Sequence, residues 1–366
     1  MLDNKLHSKN ITKVKKILFL TDGSILSGPA RLRVFQYISL WQRAGYTTKV
    51  FNCRDLIKKD FQEVMLRHEF ESSDLIFLNR NLFPKIIFLI LNSNKPLIFD
   101  FDDALFFIRS SQIKRSGHFF LYYYSVLLYR KLFRGGKYFS GSKKILDLVL
   151  SKSIAVIAGN KFLADYATGY NKNVYIIPTA VNVESIAPKE HESKPIVTIG
   201  WIGVAQNFLH IDHIAPALIK LKNSIEIDFT LCVVSSKNYY YKGLPIKNIK
   251  WNLEGEANII NSFDIGIMPL IDDEFARGKC AFKAVLCMSH GIPVVVSGVG
   301  ANLTTIIHGE TGFIANNTEE WCKYLSLLIK NSKLRKEMGH KARIDMHKRF
   351  SVKSNFNKLN RIVQKI

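Results

Sequence analysis

The sequence predicts an α/β protein of two domains, each built on a parallel β-sheet that helices cover on both faces. Short, almost continuous apolar runs alternate with longer amphipathic segments, which is typical of parallel sheets with buried strands. This alternation restarts after the polar stretch APKEHESKP at residues 187–195, and 366 residues exceed the usual size of one domain. We therefore expect Rossmann-like domains at residues 1–190 and 191–366, with the last helix packing back on the first domain.

In the first domain, an amphipathic segment predicts a helix and six apolar runs predict strands. The helix is RLRVFQYISLWQRAGY at residues 31–46, where apolar residues have helical spacing and Gly45 is expected to end it. The predicted strands, each followed by a loop, are KKILFLTDG, TTKVFNC, DLIFLN, KPLIFDFDD, SIAVIAGN and NVYIIPTAV.

The second domain repeats this organisation. A helix is predicted in HIAPALIKLKN, and the segment from Glu319 to Ile366 is expected to be helical. The predicted strands are IVTIGWIG, IDFTLCVVSS, NIKWNL, DIGIMPL and IPVVVSG. Two such domains place the carboxyl ends of their strands face to face, where ligands bind in α/β folds. A central cleft between the domains is therefore the predicted site.

Composition excludes several classes of protein. Hydrophobic residues make up 47% and charged residues 22%, which suits a globular chain and excludes a disordered one. The five cysteines are scattered without CxxC or zinc-type spacing, so unpaired thiols in a reducing compartment are expected. No apolar run is long enough for a membrane span, and the N-terminus lacks the features of a signal peptide. We therefore expect a cytoplasmic protein.

The net charge of +22 is concentrated in the first domain. Between residues 104 and 146 there is no acid, and lysines and arginines alternate with phenylalanines and tyrosines. Basic residues beside apolar aromatic ones favour a peripheral contact with an anionic membrane surface. A solvated basic surface is the alternative. Nucleic acid binding is disfavoured because no recognition motif accompanies the charge.

A candidate anion site lies in the second domain, where a polar loop from Asp272 to Gly278 precedes a helix predicted at residues 279–289. The loop brings Arg277 and Lys279 to the start of this helix. Free backbone N–H groups and the helix dipole attract a diphosphate at such a position. A solvated turn with two cations is the alternative interpretation.

The segment at residues 264–315 closely resembles the C-terminal domain of the family 4 glycosyltransferases, which have the GT-B fold. The family pattern is of the type DIGxxPLxD, GKxxxKxxxYMAxGxPVVxSxVGxN, GxxGFxA and EEW, and the chain keeps its spacing. The segments TIGWIG–VAQN, SGPARLRV and FDFDDALF extend the resemblance over nearly all of the chain. The matching positions of the main pattern are Asp264, Pro269, Gly278, Lys279, Lys283, Met288, Gly291, Pro293, Gly300, Asn302, Gly312, Phe313, Glu320 and Trp321.

The resemblance implies a retaining glycosyltransferase that uses a nucleotide diphosphate sugar as donor. In the family, a glycine at the position of Gly203 lets the backbone approach the donor phosphates. The expected donor-binding residues are Gly203, Arg277, Gly278, Lys279, Lys283, Gly300 and Asn302.

The glycine loop of the first domain, SGPARLRV, faces the cleft in the family. Gly28 is its glycine, and Arg31 and Arg33 stand at the opening of the predicted helix. Two arginines at this place are suited to holding a donor phosphate or an acceptor diphosphate. Salt bridges on the helix surface are the alternative.

Candidate catalytic residues follow the predicted strand KPLIFDFDD. Carboxylates such as Asp102 and Asp103 serve as general base, as acceptor-hydroxyl ligands, as metal ligands or as a cap for the next element. Because the family usually works without a bound metal, we expect no metal and no other cofactor. His118, the histidine of the basic aromatic stretch, is a further candidate acid or base on the acceptor side.

Two departures from the family pattern bear on the donor. Leu286 stands where many members have an acid that binds the nucleotide ribose. The Arg/Lys pair usual after the segment 198–203 is missing too. Ribose binding is then left to Glu310 or to backbone groups, and phosphate binding to Arg277, Lys279 and Lys283.

The expected reaction is sugar transfer to a hydroxyl of a lipid-linked or polysaccharide acceptor, as in lipopolysaccharide biosynthesis. The basic aromatic stretch of the acceptor-binding first domain motivates this expectation. Two other interpretations are a degenerate binding or scaffold subunit, suggested by Leu286, and a sugar-nucleotide epimerase of the same fold.

Overall fold

The computed structural model of the protein describes residues 14–58, 63–107, 140–225 and 227–366. These residues form two six-stranded sheets in which all paired strands are parallel. Helices separate most successive strands. The predicted α/β architecture with two parallel sheets is confirmed.

The first sheet follows the six predicted apolar runs and has the strand order β2-β1-β3-β4-β5-β6. Its central strands are buried along almost their whole length, in agreement with their continuous apolar sequences. The strands are β1 Lys16–Thr21, β2 Thr47–Asn52, β3 Leu75–Asn79, β4 Leu97–Phe101, β5 Ala155–Ala158 and β6 Val174–Ile176. The helices are α1 Gly28–Arg33, α2 Ile38–Arg43, α3 Cys53–Lys58, α4 Glu63–Glu71, α5 Pro84–Asn92, α6 Ser140–Lys152 and α7 Lys161–Thr168.

The second sheet has the strand order β12-β11-β10-β7-β8-β9. Five of its strands overlap predicted runs, with β9 starting two residues before its run, whereas β12 was not predicted. The strands are β7 Ile196–Ile202, β8 Asp228–Ser235, β9 Ile246–Lys250, β10 Ile265–Met268, β11 Val294–Ser297 and β12 Gly312–Ala315. The helices are α8 Phe208–Lys222, α9 Glu256–Asn261, α10 Glu274–Arg277, α11 Phe282–Ser289, α12 Asn302–Thr305, α13 Thr318–Lys330 and α14 Ser332–Arg349. A final helix, α15, spans Val352–Val363.

The helix predicted at residues 31–46 is interrupted in the structure. Val34, with φ −126° and ψ −65°, leaves helical geometry between α1 and a 3₁₀ turn that leads into α2. The interruption turns Arg33 of α1 into the protein, where its guanidinium pairs with Asp100. Trp41 of α2 packs separately in the core of the first domain. Gly45, with φ +90°, follows the end of α2, as the sequence suggested.

The chain passes between the two sheets twice. The segment between β6 and β7 contains the predicted boundary at residue 190, and the segment before α15 returns beside it. There the Val181 N–H donates to the carbonyl of Phe350, and the Asn355 side chain donates to the carbonyl of Pro178. Helix α15 then packs on the first domain, where Phe356 meets Trp41 with ring centroids 4.9 Å apart. These two crossings hold the sheets opposite each other.

No helix in the part of the chain that the structure describes is long and apolar enough to cross a membrane.

Candidate active site

A cavity of about 400 Å³ lies between the carboxyl ends of the two sheets. Its walls come from loops that follow β1, β3 and β4 in the first domain and from the ends of β7, β8 and β10 in the second. Parallel α/β sheets bind ligands at this edge of the sheet. The cavity is therefore the cleft that the sequence predicted.

The donor loop, which we define as residues 277–281, joins α10 to α11 in the second domain. The helix expected to start at Lys279 starts instead at Phe282, because Ala281 adopts a left-handed conformation with φ +53°. Three residues at this junction that line the cavity are Lys279, Cys280 and Ala281. The N–H groups of Ala284 and Val285 donate to the carbonyl of Ala281. The N–H groups of Phe282 and Lys283, the first two residues of α11, have no partner within the helix. They lie beside the cavity together with Lys279.

Lys283, in the first turn of α11, also lines the cavity. Its ammonium nitrogen lies 5.0 Å from the ring centroid of Trp201. Burial, reinforced by the charge of Lys279, lowers the pKa of Lys283 from 10.5 to about 7. The group is therefore partly neutral at pH 7, and a bound anion would restore its charge.

Gly203 lines the same wall of the cavity. A Cβ atom at this position would lie 2.7 Å from Cε of Lys283 and 2.8 Å from the ring of Trp201. Because Gly203 has no side chain, the Lys283 side chain has room to lie over the Trp201 ring.

Arg277 is brought close to the cavity but is not among the described residues that line it. Its guanidinium forms an exposed two-bond ion pair with Asp272, at 2.7 and 3.0 Å. Because this pair turns the guanidinium into solvent, the structure does not bring it to Lys279 and Lys283 as the sequence suggested.

Three other predicted donor residues, Gly278, Gly300 and Asn302, are likewise absent from the described lining of the cavity. A Cβ atom on Gly278 would lie 2.6 Å from the Cβ of Ala104 in the first domain. Gly300, with φ +57°, packs against the Arg277 backbone. The side chain of Asn302 is buried and donates to the carbonyl of Ser297. The two glycines therefore allow close backbone contacts of the donor loop, whereas Asn302 stabilises the turn after β11.

Asp102 and Asp103 line the cavity from the first domain. Arg80, which follows β3, pairs with both carboxylates at 3.1 and 3.5 Å. Its backbone is in the left-handed region, with φ +54°, a strained conformation that is frequent at functional sites. Sequence reasoning missed Arg80. The signal was a cation directly after the predicted strand DLIFLN.

In the part of the chain that the structure describes, no cluster of three potential ligands could hold a metal ion.

The two arginines of the glycine loop differ in position. Gly28 and Arg31 line the cavity, and Arg31 reaches across it to Glu256 of the second domain at 3.2 Å. Arg33 is buried behind the wall of the cavity, where it bonds to both carboxylate oxygens of Asp100 and to the carbonyl of Ile177. Arg31 is therefore in a position to contact a phosphate in the cavity. Arg33 is not, because its guanidinium forms a buried ion pair with Asp100.

Glu256, the first residue of α9, is a second functional candidate that sequence reasoning missed. Its Oε2 atom accepts hydrogen bonds from Arg31 and from the indole N–H of Trp251, which is 2.7 Å away. Leu286 of α11 faces the same cavity. Glu310, the other acid considered for ribose binding, is exposed and outside the described lining of the cavity. His118 lies outside the described residues.

The domain that carries Lys279 and Lys283 contains a sequence match to a known protein family. Residues 196–331 match the sequence model of the family described as glycosyl transferases group 1. All of the matched residues lie in the second domain. No curated protein matched the chain in a sequence search.

Solved structures show the same fold over 96% of this chain. Sucrose-phosphate synthase from Thermosynechococcus elongatus is 11% identical, with 98% of that chain covered and a TM-score of 0.69. Anabaena HepE in complex with UDP-glucose is 14% identical, with 100% covered and a TM-score of 0.62. The lipopolysaccharide outer core galactosyltransferase WaaB is 10% identical, with 100% covered and a TM-score of 0.61. The predicted GT-B fold is thereby confirmed, and the family match places a glycosyltransferase sequence model on the second domain.

Replacing Lys283 by methionine tests the burial of its ammonium group. The unfolded chain binds more protons than the folded chain between the lowered pKa of about 7 and the ordinary pKa of 10.5. Stability of the wild type therefore rises with pH across this window. Because methionine does not titrate, we expect Lys283→Met to be more stable than the wild type at pH 7. We expect this advantage to fade as the pH approaches 10.5.

Thermal unfolding across this pH window checks the expectation. The control is Lys358→Met, on the exposed face of α15. At pH 7 we expect Lys283→Met to be more stable than this control variant. A Lys283→Met difference that stays constant across the window would contradict the assignment.

Proposed function

We propose that the protein transfers a glycosyl group, with retention, from a nucleotide diphosphate sugar to a hydroxyl of a lipid-linked or saccharide acceptor. The observation that carries this proposal is the pair of lysines, Lys279 and Lys283, at the start of α11 in the glycosyltransferase domain. Both face the cavity between the domains. The complex of HepE with UDP-glucose and the lipopolysaccharide substrate named for WaaB support the two substrate classes.

The chemical demand on the donor side is to stabilise a leaving nucleoside diphosphate. The bond between the anomeric carbon and the phosphate oxygen breaks, and negative charge develops on that oxygen. This negative charge is stabilised by the ammonium groups of Lys279 and Lys283 and by the free N–H groups of α11. The acceptor oxygen forms the new bond on the same face of the sugar, and its proton passes to the leaving phosphate.

The acceptor side of the cavity carries Asp102 and Asp103. Arg80 pairs with both carboxylates and holds them in place. Fixed carboxylates accept hydrogen bonds from sugar hydroxyls. We assign them to positioning the reacting sugars. No metal or other cofactor enters this scheme, since the lysines and backbone amides supply the positive charge.

At the nucleoside end of the sugar donor, the ribose hydroxyls require a hydrogen-bond acceptor from the protein. Leu286 has no polar atom to offer. Glu256 faces the same cavity, and the hydrogen bonds found for its side chain among the described residues both end on Oε2. Its Oε1 is therefore suited to accept from ribose, while Trp251 and Arg31 hold the carboxylate in position.

Nucleoside diphosphate binding tests the donor site. We expect one of UDP, GDP and ADP to raise the melting temperature of the wild type. Loss of a charge-assisted hydrogen bond costs about 1.5–3 kcal/mol. Lys279→Ala and Lys283→Ala should therefore each weaken binding at least tenfold in calorimetric titration.

Arg277→Ala is the matched control, because it removes a cation from the same loop whose guanidinium points into solvent. It should bind the nucleotide nearly as well as the wild type. Absence of any shift with all three nucleotides would contradict the proposal and favour a binding or scaffold subunit.

Replacement of Glu256 by glutamine tests the ribose contact. Glutamine keeps an oxygen for the Trp251 N–H but removes the charge that holds Arg31. We expect about tenfold weaker binding of the nucleoside diphosphate, corresponding to about 1.4 kcal/mol. Inorganic pyrophosphate, which lacks the ribose, should bind both proteins with closely similar affinity. Glu254→Gln, at an exposed position two residues earlier in the chain, is the control. Equal loss of nucleotide and pyrophosphate affinity would place Glu256 at the phosphates instead.

The proposed lipid-linked acceptor requires a surface that approaches an anionic membrane from the cytoplasm. Helices α5 and α6 of the first domain pack side by side and expose Phe88 and Leu148, with 63% and 41% of their surface accessible. Lys85 and Lys144 are exposed on the same two helices. Apolar side chains flanked by lysines favour the interface of an anionic bilayer. Most of the basic aromatic stretch lies outside the described residues.

Vesicle co-sedimentation tests this surface. The wild type should sediment with phosphatidylglycerol-containing vesicles at low salt and less at high salt. The double variant Phe88→Ser, Leu148→Ser should remain mostly in solution. Tyr240→Ser, which removes an exposed aromatic residue from the second domain, should behave as the wild type. Equal sedimentation of all three proteins would exclude this surface.

A further inference from the structure

Asn160 belongs to the first domain but is bonded to the donor loop of the second. It stands between β5 and α7, and only 6% of its surface is accessible. Its Oδ1 atom accepts from the N–H of Leu163, at 2.9 Å, and thereby caps the start of α7. The other half of the same amide points across the domain interface.

The Nδ2 atom of Asn160 faces three consecutive backbone carbonyls of the donor loop. It lies 3.0 Å from the oxygen of Gly278, 3.1 Å from that of Lys279 and 3.4 Å from that of Arg277. An amide nitrogen has two hydrogens, and the two shorter contacts account for them. The cap on α7 fixes the orientation of the Asn160 amide. The loop carbonyls therefore accept hydrogen bonds from an N–H group whose position is fixed.

The backbones on either side of this amide are in close contact. A Cβ atom on Gly159 would lie 2.4 Å from the sulfur of Cys280, so only glycine fits there. On the other side, Gly278 lies against Ala104, and the Cys280 thiol donates to the carbonyl of Asp102 at 3.2 Å. The donor loop therefore rests on residues of the first domain at three points.

This contact bears on the direction of the loop amides. In a trans peptide the N–H points opposite to the C=O. Anchoring the Lys279 carbonyl on Asn160 therefore turns the N–H of Cys280 away from Asn160. The residues that follow are Ala281, in its left-handed conformation, and α11 with Lys283. The orientation of this part of the cavity wall thus depends on a residue of the other domain.

We propose that Asn160 is a positioning residue that completes the donor diphosphate site from the acceptor-binding domain. It acts by holding the carbonyls of the donor loop, and so Lys279 and the start of α11 face the cavity only while the two domains are in contact. This inference rests on the proposed function, since it assigns a means of assembling the donor site. Donor binding and domain contact are thereby coupled.

Two substitutions separate this role from the capping of α7. Asn160→Asp and Asn160→Ser both keep an oxygen for the Leu163 N–H, and both residues are good N-caps. Both remove the N–H donor that the loop carbonyls require. Because only aspartate adds a charge, an effect common to both variants is due to the lost donor. Asn173→Asp, at an exposed asparagine of the same domain, is the control.

The experiment combines nucleoside diphosphate titration with hydrogen–deuterium exchange of the unliganded proteins. We expect both Asn160 variants to keep a melting temperature close to that of the wild type and to bind at least tenfold more weakly. Amide exchange should increase in residues 278–282 and not in β5 or α7. Wild-type affinity together with unchanged loop exchange would overturn the inference.

Increased amide exchange throughout β5 and α7 would also overturn the inference. It would show that Asn160 stabilises the first domain and does not specifically position the donor loop. If the wild type bound none of the nucleotides, the proposed function would fail, whereas loop exchange would still decide whether Asn160 holds the donor loop.

Discussion

The cleft depends on the contact between the donor loop and the first domain, where the backbones approach closely around the Asn160 amide. Gly159 and Gly278 have no room for a Cβ atom, because it would lie 2.4 Å from the Cys280 sulfur at Gly159 and 2.6 Å from the Ala104 Cβ at Gly278. The double crossing of the chain and the docking of α15 bring the sheets to this distance. The position of Lys279 and the start of α11 follows from that contact.

The electrostatic arrangement of the cavity is adapted to an anionic ligand. Its carboxylates are paired with arginines, Asp102 and Asp103 with Arg80 and Glu256 with Arg31. The two lysines contact aromatic rings instead, Lys279 at Phe275 and Lys283 at Trp201. The lowered pKa of Lys283 shows the cost of burying this cation without an anion. A diphosphate would bring the missing charge to both groups.

The sequence was sufficient to predict the two sheets, their place in the chain and the cleft, because buried parallel strands have a clear apolar pattern. Local irregularities were not predictable. The break at Val34, the left-handed Ala281 and the delayed start of α11 arise from contacts with distant residues. Strand β12 was missed because its apolar run is only three residues long, at residues 313–315, between Gly312 and Asn316.

The candidate site was predictable only in part, for the same physical reason. Arg31 and Arg33 are two residues apart on one helix, so they point in different directions, and the sequence does not show which meets the cleft. The roles of Arg80, Glu256 and Asn160 depend on partners 22, 225 and 118 positions away. Such partners become visible only in the folded structure.

The most direct test of this account is a crystal structure of the protein with the nucleoside diphosphate that stabilises it. The account predicts that the diphosphate lies between Lys279 and Lys283 at the start of α11, with the ribose at Glu256 and the Asn160 amide still on the donor loop. A nucleotide bound outside the cavity between the two domains would contradict it, as would a diphosphate contacting neither lysine.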